Sequence, residues 1–174
     1  MITAVPYISQ WDSDAHLSRG DCGIVAAAMV AQWKGIDTTP DAMLRMADLP
    51  IGKHSYTFAE VMRAAQSVGL TLNYHFPATW SVIREELCEG RPVVTLLRYG
   101  ELLGNQDDFD GSHFLTVVGC TADDVIVNDP DWWGDRRDDG FMRHVPIPEF
   151  ERAIGTALNA TGNKAHQSLF IQGD

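Results

Sequence analysis

The sequence predicts an α+β fold, with a helical N-terminal part packed on an antiparallel β-sheet. Three observations carry this reading. Segments with helical caps and stops fill roughly the first half of the chain, and strand-like apolar runs follow them. An Ala-rich apolar helix opens directly on a cysteine, in Gly20-Asp21-Cys22-Gly23-Ile24-Val25-Ala26-Ala27-Ala28. The 174 residues are read as a single domain, 1–174, long enough to bury most of its surface without a covalent staple.

The elements can be justified in order. Ala4 to Trp11 alternates loosely and contains Pro6, which predicts a short edge strand or extended arm, followed by a polar loop from Asp12 to Gly20. The helix from Cys22 runs to about Lys34, where Gly35 stops it, and its Ile24, Ala27, Ala28, Ala31 face allows close packing. Thr39-Pro40-Asp41 opens a second helix through Met46, by the rule that proline suits the first helical position. Ser55 to Glu60 opens a third, with Phe58, Val61, Met62 and Ala65 at helical spacing up to Gly69. Leu70 to Tyr74 reads as a strand, and Trp80 to Cys88 as a fourth helix ending at Gly90.

The texture then becomes β. Arg91 to Tyr99 is a buried strand, followed by a loop, Gly100 to Ser112, rich in Asp, Gly and Asn. His113 to Cys120 and Val125 to Asn128 are two strands joined by Thr121-Ala122-Asp123-Asp124. Asp129 to Gly140 is a charged loop bearing Trp132 and Trp133, Pro148 to Leu158 a last amphipathic helix, and Ser168 to Ile171 an edge strand.

Composition narrows the function classes. Lys and Arg number 13 against 24 Asp and Glu, a net charge of −11, and the basic residues are scattered, which disfavours nucleic-acid and anionic-membrane partners. Cys22, Cys88 and Cys120 are odd in number and show no C-x-x-C, so neither a disulfide framework nor a cysteine zinc site is expected. The N-terminus has no basic and apolar signal pattern, and no apolar run is long enough for a membrane span. The expectation is a protein that is cytoplasmic as synthesised, with no membrane insertion; activity outside a cell would need its release, as for a phage-encoded protein.

Cys22 stands where a nucleophile works well. The first N–H groups of a helix lack intrahelical partners and carry the positive end of the dipole, which favours a thiolate. Asp21 is placed to cap the helix, and Gly23 to leave room for a substrate near the sulfur. A thiol nucleophile needs a base, and of the six histidines only His113 begins a strand that enters the interior. His16, His54, His75, His144 and His166 lie in loops or at element ends without a matching acid and read as solvated.

With a turn centred near Ala122-Asp123, His113 comes level with Asn128 to Asp131. Asn128 and Asp129 are then the candidates for holding the imidazole tautomer. Strand parity could choose between them, but a one-residue change in register swaps the answer. Gln10, twelve residues before Cys22, could supply an amide donor to an oxyanion together with the Cys22 N–H.

The acidic stretch Gly100 to Gly111 leads into His113 and so borders the cleft, where its carboxylates would favour a basic or amine-bearing substrate. It does not form an EF-hand: aligning Asp110-Gly111 with the loop glycine leaves Val117 where a bidentate Glu is required. Trp132 and Trp133 are candidates for an apolar subsite wall or for core packing.

The blocks Val5-Pro6-Tyr7-Ile8-Ser9-Gln10-Trp11, Asp21-Cys22-Gly23, Gly90-Arg91-Pro92-Val93, Gly111-Ser112-His113-Phe114 and Val127-Asn128-Asp129-Pro130 together resemble the C39-like branch of the papain-fold cysteine peptidases. The resemblance implies the papain-like cysteine peptidase fold. It also implies Cys22 as nucleophile, His113 as base, Asp129 as acid in place of Asn128, and Gln10 in the oxyanion hole, with no metal or cofactor. The implied activity is thiol-dependent hydrolysis of peptide or isopeptide bonds in a peptide or protein substrate. Relatives that trim exporter leader peptides after a double glycine are attached to membrane and ATPase parts not seen here, so that substrate is not carried over. A peptidoglycan stem peptide, acyl transfer by the same residues and a non-catalytic binding domain are the rival readings.

Overall fold

In a computed structural model, residues 2–12, 20–159, 162–163 and 165–172 are described. The expected loop Asp12 to Gly20, and His16 with it, lies mostly outside them. Helix α1 (Cys22–Trp33) is buried from Cys22 to Ala31 on every side, a central helix rather than a surface one. Its alanines permit this, since a helix without bulky side chains can be surrounded closely. Around it stand α2 (Pro40–Met46) and α3 (Phe58–Ser67). Thr39 caps α2, accepting from the Ala42 N–H. A reciprocal capping box, Thr57 with Glu60, starts α3 three residues later than the sequence reading places it.

The strands β1 (Leu72–His75), β2 (Val93–Arg98), β3 (Ser112–Cys120), β4 (Asp124–Asn128), β5 (Arg143–Pro146) and β8 (Ser168–Ile171) form one antiparallel sheet. Their order is β1-β8-β2-β3-β4-β5. Strand β8 is therefore interior, a correction to its expected place at the edge. All four of its residues are buried, because β1 covers its outer side and itself takes the edge. Strand β5 was hidden in sequence by its short, mostly polar RHVP segment. The last helix, α5 (Ile147–Gly155), ends before Leu158, which pairs instead in a small hairpin of β6 (Leu158–Asn159) and β7 (Gly162–Asn163).

Alternation along the strands sends successive residues to opposite faces. Val94, Leu96, Phe114, Val118, Ile126 and Leu169 join a core with α1, α2 and α3. Val93, Leu97, Leu115, Val117, Val125, Val127 and Phe170 join a second core with α4 (Trp80–Cys88) and α5. The N-terminal arm is extended as expected; it bridges the sheet at Ile2 and Gly119, and the Thr3 N–H donates to the Val118 carbonyl at 2.8 Å. No described helix is long and apolar enough to cross a membrane.

One irregularity in this sheet sets the site. From the turn, Cys120 pairs with Val125 and Gly119 with Ile126, but Val117 pairs with Val127 and Thr116 with Asn128. A bulge at Val118 absorbs one residue. Continued without it, the turn-side register would place Asn128 opposite Val117 and on the face of His113. With it, Asn128 shares the face of Thr116, and Asp129 follows onto the face of His113.

Phe150 is fully buried and meets Trp80 edge-on at 5.8 Å, joining α5 to α4 over the second core. Phe150→Ala is expected to cost about 3–5 kcal/mol of stability, read by chemical denaturation.

Candidate active site

Cys22 is the first residue of α1 and is 7% exposed. Its Sγ accepts a hydrogen bond from the Phe114 N–H at 3.4 Å, so the sulfur is tied to β3 next to His113. His113 is buried, and its Nε2 meets Asp129 Oδ1 at 2.8 Å. Cys22 lies near enough to act electrostatically on the imidazole. With Nε2 committed to the carboxylate, Nδ1 is the nitrogen left for sulfur. The structure thus brings Cys22, His113 and Asp129 together in a chain of contacts. Asn128 is directed elsewhere: its Nδ2 donates to the Val5 carbonyl at 3.1 Å and its Oδ1 accepts from the Met142 N–H.

Asp129 is completely buried, and its two oxygens are heavily subscribed. Oδ1 accepts from His113 and from the Asp131 N–H at 3.1 Å. Oδ2 accepts from the Tyr99 hydroxyl at 3.1 Å, the Trp132 indole N–H at 3.0 Å and Arg143 Nη1 at 2.8 Å. The backbone around it is equally fixed. Its N–H donates to the Gly140 carbonyl at 2.9 Å, and its carbonyl accepts from the Tyr7 hydroxyl at 3.0 Å. Gly140 is required at this crossing: a Cβ there would lie 2.3 Å from the Asp129 carbonyl oxygen and 2.4 Å from the Tyr7 hydroxyl.

The electrostatics follow from these contacts. Burial disfavours a charged carboxylate, but the hydrogen bond and charge of His113, with Arg143, hold Asp129 well below the usual carboxylate range. Burial likewise disfavours a charged imidazole, yet the electrostatic influence of Cys22 and the hydrogen bond to Asp129 raise His113 well above its ordinary 6.5. Tyr99 is pushed upward by burial and by Asp129, so it remains a donor, and its ring packs against the imidazole at 4.5 Å.

Gln10 is 1% exposed at the end of the extended arm. Its backbone N–H donates to the Pro130 carbonyl at 2.9 Å, and its Nε2 donates to Asp131 Oδ1, also at 2.9 Å. Ser9 Oγ donates to the Trp132 carbonyl at 2.5 Å, and Arg137 pairs with Asp12 at 2.5 and 2.7 Å. The arm is thereby stitched to the loop after Asp129.

Several expectations are corrected. Asp21 precedes α1 but makes no side-chain cap bond. Gly23 serves packing, not substrate access: a Cβ would come within 2.9 Å of both the Phe114 ring and Val61. Trp132 is 2% exposed and donates to Asp129, so it is part of the site's support and not a subsite wall. Trp133 is only half-buried and meets the Trp11 ring at 5.2 Å. Loop 100–111 does lie beside the site, because Gln106 exchanges two hydrogen bonds with the Trp133 backbone. Asp110, however, is engaged by Arg98 at 2.6 and 2.8 Å.

Of the remaining histidines, His144 does have an acid, Asp124 at 3.1 Å, and His75 stacks on Phe170 at 4.6 Å. His54 is exposed, and His166 is half-buried. Tyr99 and Arg143 support Asp129 without any mark in the sequence. Arg143 arrives there because β5 pairs it with Val127, two residues before the acid. Asp131 had a usable signal, the alternation in Asp129-Pro130-Asp131.

A thiol at a helix N-terminus, set against an imidazole and a buried carboxylate on an antiparallel sheet, is the papain-like cysteine peptidase fold. The chain belongs to the Peptidase_C39 like family, whose model matches residues 2–153. Solved structures resemble it over nearly their whole length. One is described as a C39-like peptidase from Bacillus anthracis, at 16% identity and a TM-score of 0.67, covering 98% of this chain and 95% of that one. A double glycine motif protease from an AMS/PCAT transporter, solved with its leader peptide, is 18% identical with a TM-score of 0.60, covering 99% and 94%. The peptidase domain of Streptococcus ComA, a bi-functional ABC transporter, is 14% identical with a TM-score of 0.61, covering 92% and 96%. No curated protein matched the chain.

Because His113 is raised above 6.5, its protonated form contributes stability in full below that pH and loses it as pH rises through the folded value. His113→Gln should therefore be most destabilising at low pH, near pH 5 to 6, and less so near pH 9. Denaturant melts of both proteins across that range measure the difference.

Proposed function

We propose that this chain is a cysteine peptidase that hydrolyses peptide bonds in a peptide or protein substrate. The observation that carries the reading is the buried Asp129–His113 pair meeting Cys22 at the first turn of α1. Membership of a peptidase family supports it, as does the leader peptide found with one related protease.

The steps follow from the contacts. His113 holds the proton of Cys22, and the thiolate attacks the scissile carbonyl carbon. The carbonyl electrons move to oxygen, where the Cys22 N–H and the Gln10 amide meet the charge. Such donors act strongly where, as at Gln10 and Cys22, they are buried and need not reorganise. His113 gives its proton to the leaving amine as the C–N bond breaks, leaving a thioester on Cys22. Water, deprotonated by His113, attacks the thioester; the C–S bond breaks and the thiolate returns. Asp129 keeps Nε2 a donor throughout, so Nδ1 always faces sulfur.

Incubation with a proteome-derived peptide mixture, with new termini read by mass spectrometry, tests the activity. The wild type is expected to generate cleavage products and Cys22→Ala none, with its fold unchanged. Asp129→Asn should slow cleavage about 10²- to 10⁴-fold, the range for losing the orienting acid of a triad. Cleavage that persists in Cys22→Ala, or a wild-type rate in Asp129→Asn, would overturn the assignment.

Iodoacetamide supplies an independent check. Cys88 is exposed and Cys22 buried, so simple access would label Cys88 first. An activated Cys22 reverses that order near pH 6, and His113→Ala abolishes the reversal.

A further inference from the structure

One buried carboxylate beside the site takes no part in the steps above. Asp131 is 4% exposed, and its Oδ1 accepts from both Gln10 Nε2 at 2.9 Å and the Trp11 indole N–H at 2.8 Å. We propose that Asp131 is a positioning residue that fixes the Gln10 amide with its N–H, and not its carbonyl oxygen, toward the reacting carbonyl. The inference rests on the cysteine peptidase reading and deepens it.

A primary amide has two ends of nearly the same shape and opposite polarity. At Gln10 the Oε1 end is buried and has no hydrogen-bond partner among the described residues, so nothing there selects an orientation. The selection comes from the other end. Turning the amide over would set Oε1 against a carboxylate oxygen that now accepts a hydrogen bond at 2.9 Å, replacing attraction by repulsion. One Nε2 hydrogen is spent on Asp131, and the second remains for an oxyanion.

A carboxylate near a developing oxyanion is unfavourable by itself. Its use lies in the donor it holds. Trp11, on the same oxygen, keeps that carboxylate in place. The main chain reinforces the arrangement, since the Asp131 N–H donates to Asp129 Oδ1 and the Pro130 carbonyl accepts from the Gln10 N–H. Asp129-Pro130-Asp131 thus orients the imidazole with one carboxylate and the oxyanion donor with the next. Burial pushes Asp131 upward, against the charge of His113 and the hydrogen bond from Trp11, which act the other way.

Two reactions of Cys22 separate this role from a structural one. Acylation by N-benzyloxycarbonylglycine p-nitrophenyl ester passes through an oxyanion, whereas alkylation by iodoacetamide does not. Both rates are measured in a Cys88→Ser/Cys120→Ser background, with the labelled residue confirmed by mass. Asp131→Ala should slow acylation about tenfold or more and leave alkylation within about twofold. Asp131→Leu, close in volume and without an acceptor, carries the same expectation. Asp131→Asn, whose amide oxygen can still accept from Gln10, should recover much of the rate. Adding Asp131→Ala to Gln10→Ala should cost nothing further, because Asp131 acts through Gln10.

Acylation at the parent rate in Asp131→Ala and Asp131→Leu would overturn the proposal alone. So would a parallel loss of alkylation, or additive losses in the double variant. A parent protein that is not acylated at Cys22 would overturn the peptidase reading and the proposal with it.

Discussion

A fully buried carboxylate must be answered from every side, and the site is organised around answering Asp129. His113, Asp131, Tyr99, Trp132 and Arg143 each direct a donor at it. These donors come from β3, the 3₁₀ turn after β2, the loop after β4, and β5. Withdrawing the carboxylate would leave a buried guanidinium and imidazole facing each other, a loss of about 3–5 kcal/mol for a pair broken on one side. The same network that keeps Asp129 ionised sets the His113 tautomer, so support of the fold and readiness for chemistry share one set of hydrogen bonds.

The sulfur reaches this network from a different part of the chain. Helix α1 is enclosed on all sides, which fixes its first turn, and Gly23 allows Phe114 and Val61 to close against it. Phe114 then presents its N–H to Sγ, one residue from the imidazole. The extended arm completes the arrangement by delivering Gln10 to the loop after Asp129, with its main chain on Pro130 and its side chain on Asp131. Helix, sheet and arm are therefore tied to one another through Phe114, His113 and the loop after Asp129.

Much of this was legible in the residues. Glycine stops located the ends of α1, α3 and α4, and a threonine cap with proline the start of α2, because these signals act between neighbours in sequence. The hairpin of β3 and β4 located His113 against the 128–131 region. What local pattern could not settle was parity: the Val118 bulge shifts the register by one, and only the resemblance had favoured Asp129 over Asn128. Strand β8 was misplaced at the edge since its neighbour β1 lies far away in sequence. Arg143 and Tyr99 were invisible for the same reason, as their roles depend on pairings made across the sheet. Gly23 was given a functional role and Asp21 a capping role from adjacent residues alone, whereas Phe114 and Val61 decide what Gly23 does and Asp21 makes no cap bond.

Cys22 and Asp129, on either side of the imidazole, hold His113 well above its ordinary range, so the ring stays protonated at neutral pH. Nitrogen-15 NMR of the His113 side chain at pH 7, in the wild type and in Cys22→Ala, measures it directly. Both ring nitrogens are expected to be protonated in the wild type, with the Nδ1 proton lost in Cys22→Ala. A neutral His113 ring in the wild type at pH 7 would contradict it.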